Sequence, residues 1–80
     1  MLEIKRGALF QHFEAGLIRF DRWISFDIMV FVTVASGQVI KLPEHKFDEL
    51  HARRRIRMIE QDAEGNPIEI RAFAHDDPES

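Results

Sequence analysis

The densest chemistry in the sequence is the cationic run Arg53-Arg54-Arg55-Ile56-Arg57, with Lys46 and His51 a few positions upstream. A guanidinium presents a planar fork of donors that matches phosphate oxygens, so Arg53, Arg54, Arg55 and Arg57, with Lys46 in support, are candidates for contact with a DNA backbone. Two other readings use the same residues. Cations at the end of a helix are favoured by its dipole alone and can be solvated or paired with nearby acids. They can also meet an acidic protein partner. Stacking on bases would need exposed rings. Trp23 is the best candidate for one, because most of the seven Phe fall on faces expected to be buried.

The remaining reactive side chains form no recognisable catalytic set. His45 and His51 lie six apart on an expected helix, a rotation of about 600° or roughly 240° net, so they cannot share a metal. Asp48 and Glu49 read as charges of the early helix turns, and Asp21 and Asp27 bracket an expected turn. Ser25 and Ser36 sit at turn positions with no histidine nearby. Gly7, Gly16, Gly37 and Gly65 are isolated and make no phosphate-cradling loop. The expectation is a protein that is not an enzyme and holds no metal or cofactor.

The elements that must position the basic run follow from periodicity. Leu2, Ile4 and Leu9 suggest a first strand interrupted at Gly7. Ala8 to Gly16 fits either a helical turn or extended structure, and extended structure is expected. Leu17 to Trp23 alternates, with Ile18 and Phe20 on one side and Arg19 and Asp21 on the other. Asp27 to Ala35 is rich in β-branched and aromatic residues and apolar on both faces, so it predicts a central, covered strand. Ser36-Gly37 predicts a tight two-residue hairpin into Gln38 to Leu42.

Pro43 can open a helix, predicted over Glu44 to Arg54 with Phe47 and Leu50 on its buried side. Ile56 to Ile59 predicts a strand with Ile56 and Met58 on one side. Glu64-Gly65-Asn66-Pro67 is a turn cluster, after which Ile68 and Ile70 predict a last strand pairing with Ile56 to Glu60. The expected fold is α+β and mostly β: a small antiparallel sheet or open barrel of about five to six strands, with one short helix.

Eighty residues make one domain, expected over residues 1–74, with stability near the low end of roughly 5–15 kcal/mol. There is no cysteine, which excludes disulfides and thiolate metal sites and fits a reducing compartment. The most apolar stretch, Ile28 to Ala35, is far short of the roughly 20 residues that span a bilayer. Glu3, Lys5 and Arg6 come early with no continuous apolar block after them, so a cytoplasmic location is expected. Asp76, Asp77 and Glu79 account for the whole net charge of −3. The tail His75 to Ser80 is expected to be disordered.

Seven short segments together resemble the small N-terminal β-rich segment of Mu-type transposases. They are Gly7-Ala8-Leu9-Phe10, Ile18-Arg19-Phe20-Asp21, Met29-Val30-Phe31-Val32, Ser36-Gly37, Val39-Ile40-Lys41-Leu42, and Phe47-Asp48-Glu49-Leu50 with Ile56-Arg57. The resemblance runs from Gly7 to Ile59, about two-thirds of the chain. The catalytic domain of those transposases has no counterpart here. The resemblance therefore implies an accessory module of DNA transposition or of a mobile element, contacting DNA or a partner in a nucleoprotein complex. The alternative is a protein-interaction module, or a homodimer that pairs through an exposed strand edge.

Overall fold

A computed structural model of the chain describes residues 4–68. The elements run β1 (Leu9–His12), β2 (Gly16–Ser25), β3 (Ile28–Thr33), β4 (Val39–Pro43), α1 (Glu44–Ala52) and β5 (Ile56–Ile59). They form one open five-stranded sheet in the order β4-β3-β2-β1-β5, antiparallel throughout. The first four strands make a meander. The helix then carries the chain from the β4 edge back to the opposite edge, where β5 pairs with β1. This is the mostly-β, single-helix fold expected from the sequence, in its open-sheet form.

Register puts Phe10, Ile18, Phe20, Met29, Phe31, Leu42 and Ile56 on one side of the sheet, where Phe47 and Leu50 of α1 join them in one buried cluster. Phe31 is the hub. Its ring meets Phe10 and Phe20 edge-on, at 5.7 and 5.5 Å between centroids, and stacks on Phe47 at 6.1 Å. A fully buried Phe contributes on the order of 1.5–3 kcal/mol, so a few such rings outweigh any surface ion pair in so short a chain.

The β1–β2 hairpin closes over Phe13, Glu14 and Ala15, with Gly16 at φ +77° completing the turn. A three-residue loop of this kind needs a left-handed residue at that point, which glycine adopts without strain. The β3–β4 connection departs from the expected two-residue turn. Thr33 accepts from Gly37 and donates to Gln38, so four residues, Val34 to Gly37, make the loop. The Thr33 hydroxyl explains the difference: it accepts from the Gln38 amide at 2.9 Å and meets the Ser36 hydroxyl at 2.7 Å, stabilising the wider turn.

The strand expected over Asp27 to Ala35 is internal, and its ordered pairing covers Ile28 to Thr33, while β2 takes the central position. Pro43 precedes the helix as its N-cap, still paired with Ile28, rather than forming its first turn. The helix ends at Ala52, two residues short of expectation, because Arg54 takes a left-handed φ of +59°. Beyond β5, Gln61 pairs with Pro67 and the Ile68 amide donates to Glu60, so the turn around Gly65 folds back as expected. The rest of that strand, Ile70 included, and the tail from His75 lie outside the described residues. Among the described residues no helix is long and apolar enough to cross a membrane.

Candidate nucleic-acid interface

The helix end decides where the basic run goes. The Arg55 amide donates to the Leu50 carbonyl at 2.8 Å and the Arg54 amide to the His51 carbonyl at 3.0 Å. Together with the left-handed Arg54 these two bonds make a Schellman cap, the motif that usually places glycine where Arg54 stands. Arg53, Arg54 and Arg55 are thus the cap and the two residues after it, not the last helical turn. The chain reverses within three residues and sends the side chains apart.

The structure separates the five predicted contact residues into three groups. Lys46 and Arg53 both bind Glu49, at 3.7 and 3.4 Å. Arg57 lies on the sheet face away from α1, where its guanidinium donates twice to the Gln11 side chain, at 3.1 and 2.8 Å. Arg54 and Arg55 remain at the corner between α1 and β5, and no carboxylate among the described residues pairs with either. The five side chains therefore do not share one face.

The corner has an aromatic member that the sequence did not single out. The Arg55 guanidinium lies 6.0 Å from the centroid of the Phe13 ring, and the Phe13 amide donates to the Arg55 carbonyl at 2.9 Å. Phe13 is 43% exposed, in the β1–β2 turn. A cation over an aromatic face is attracted by the ring quadrupole, worth about 0.5–1 kcal/mol where solvent reaches it. Trp23, the best candidate in the sequence for a surface ring, is half-buried against Phe20. The β-bulge at Asp21 turns Trp23 towards the core side, and a second irregularity follows at Ile24. Among the described residues the most exposed ring is Phe26, 81% exposed at the β2–β3 turn.

His12 fixes the turn that carries Phe13. Its Nδ1 accepts from the amides of Glu14 and Ala15, each at 3.1 Å, which requires the neutral ring with its proton on Nε2. Burial lowers the His12 pKa below its ordinary value, with Glu14 acting weakly the other way.

On the face of the sheet away from α1, Arg19 ties three segments together. It donates to the Gly7 carbonyl at 3.0 Å, the Gln61 side chain at 2.7 Å and the Gly65 carbonyl at 3.2 Å. Beside it, Arg6 and Arg22 both bind Asp21. A shallow basin of about 440 Å³ lies next to this network, lined by Lys5, Arg6, Gly7, Ala8, Met58 and Gln61. Among the described residues no group of histidines and carboxylates is spaced to hold a metal ion.

No family model, no curated protein and no solved structure matches the chain.

Proposed function

We propose that the chain is a non-enzymatic binding module that contacts the DNA backbone, in the cytoplasm, as part of a transposition or similar nucleoprotein assembly. The resemblance to the N-terminal segment of Mu-type transposases gives the context. The observation that carries the reading is Arg54. A bulky residue at a left-handed position costs roughly 1–2 kcal/mol relative to glycine. Arg54 is exposed there and has no carboxylate partner among the described residues. Its neighbour Arg55 lies over the half-exposed Phe13. Two unneutralised guanidiniums with an accessible ring suit phosphate contact, with stacking available at a frayed or single-stranded end.

Fluorescence anisotropy with a labelled DNA duplex tests this. Binding should be measurable at low salt and weaken steeply and linearly in log–log form as salt rises. An absence of binding at low salt removes the proposal.

A second reading is pairing through a strand edge, with another protein or a second copy. Among the described residues the outer edge of β4 has no strand partner, and Val39 on it is 56% exposed. An unprotected edge offers a row of backbone donors and acceptors to an incoming strand. Light scattering over a range of concentrations tests the self-pairing form; a monomer throughout rejects it.

A further inference from the structure

The strand register assembles a cationic surface that the linear sequence conceals. In the alternation of Leu17 to Trp23, Arg22 would stand with Ile18 and Phe20. The bulge at Asp21 inserts one extra residue, so Phe20 pairs with Phe31 but Arg22 pairs with Val30. Val30 in turn pairs with Lys41, and one rung further Arg19, Val32 and Val39 lie side by side. Arg19, Arg22 and Lys41 therefore share the face away from α1. Val30 stands between Arg22 and Lys41 in the ladder and is only 2% exposed, whereas both flanking cations are exposed. Leu9 and Ile59 lie on the same face and are also buried, so its exposed cations are the strip formed by Arg22 and Lys41.

Among the described residues the charges on this face are unbalanced. Asp21 is shared by Arg22 and Arg6, which leaves one positive charge over. Among the described residues Arg19 is held by neutral oxygens, and no carboxylate pairs with Lys41. The loop whose Gly65 carbonyl Arg19 binds also carries Asp62 and Glu64, and the Asp62 carboxylate is turned onto the amides of Glu64 and Asn66. Along α1 and its cap, by contrast, Glu44, Asp48 and Glu49 stand with Lys46 and Arg53, and Glu49 binds both cations. Arg22 and Lys41 are two strands apart, about 10 Å, and Arg19 is one rung along, about 7 Å. Duplex DNA carries one charge per about 1.7 Å of axis, so a patch of this breadth faces several phosphates at once.

We propose that the sheet face away from α1, centred on Arg22 and Lys41 with Arg6 and Arg19 beside them, is a second surface that docks the backbone of duplex DNA. This rests on the DNA-binding reading above and adds the larger part of the contact to the Arg54–Arg55 corner. The test compares two double variants of the full chain, Arg22→Ala with Lys41→Ala and Arg54→Ala with Arg55→Ala, in anisotropy titrations across salt. Circular dichroism and thermal midpoints confirm that each variant is folded.

The face variant should bind a duplex about tenfold more weakly, with the log–log salt slope reduced by about two. The charge-preserving pair Arg22→Lys with Lys41→Arg should bind as the parent does. Unchanged affinity and slope in the face variant, with binding lost in the corner variant, would overturn this proposal and leave the DNA reading standing. Failure of the parent chain to bind any duplex at low salt would remove both. Binding of a polyglutamate peptide that the face variant loses, without duplex binding by the parent, would make the partner an acidic protein and also overturn the proposal.

Discussion

Phe13 and Arg55 are joined twice: the Phe13 amide donates to the Arg55 carbonyl at 2.9 Å, and the Arg55 guanidinium lies 6.0 Å from the Phe13 ring centroid. The backbone bond extends the β1–β5 pairing by one position into the turn. It holds the ring of one connection under the cation of another, so the β1–β2 turn and the α1–β5 corner behave as one surface.

Removing the ring tests that coupling. Phe13→Ala should weaken DNA binding by a few-fold and lower stability by roughly 0.5–1 kcal/mol, the worth of an exposed cation–π pair. Anisotropy and urea unfolding measure the two quantities. A variant indistinguishable from the parent in both would show that the pair contributes nothing.

Arg54→Gly should move stability and binding in opposite directions. Glycine relieves the left-handed strain at φ +59°, raising stability by about 1 kcal/mol. The same change removes an unpaired guanidinium and should lower the salt slope of DNA binding by about one. Urea midpoints and salt titrations read the two effects. A glycine variant less stable than the parent would mean that Arg54 makes contacts worth more than its strain.

His12 makes the fold sensitive to acid. Its pKa is lowered in the folded chain, mainly by burial, so folding favours the neutral ring that accepts from Glu14 and Ala15. That stability is complete above the unfolded value of 6.5 and is lost as pH falls through the lower folded value. Urea unfolding at a series of pH values should show a decline below about pH 6.5 that His12→Gln lacks. An equal decline in the variant would assign the effect to the carboxylates.

Phe31→Ala should cost about 3–5 kcal/mol, because the site is fully buried among Phe10, Phe20 and Phe47 and cannot collapse without moving all three rings. For a domain of this size that is most of its stability, so the variant should be largely unfolded at room temperature. Sharp, dispersed amide signals in its NMR spectrum would contradict this.

Much of the architecture was readable from local chemistry. The run Ile28 to Thr33 combines β-branched and aromatic residues, and it became the most buried strand. Phe47 and Leu50, three apart behind Pro43, marked the buried side of the helix. Gly16 and Gly37 stand where left-handed backbone is required. The site was less legible. Consecutive arginines in the sequence look like a patch, but a Schellman cap and a strand start scatter them among Glu49, Phe13 and Gln11.

By itself, then, the sequence determined which residues are apolar, where the chain turns and which segment coils. These depend on side-chain type and on φ preferences within a few residues. Tertiary pairing decided which charges stand together, because a single inserted residue in a strand reverses the face of everything after it. The bulge at Asp21 is that residue: it sends Arg22 to the side of Arg19 and Lys41 and turns Trp23 towards the core, a choice made only when β2 meets β3.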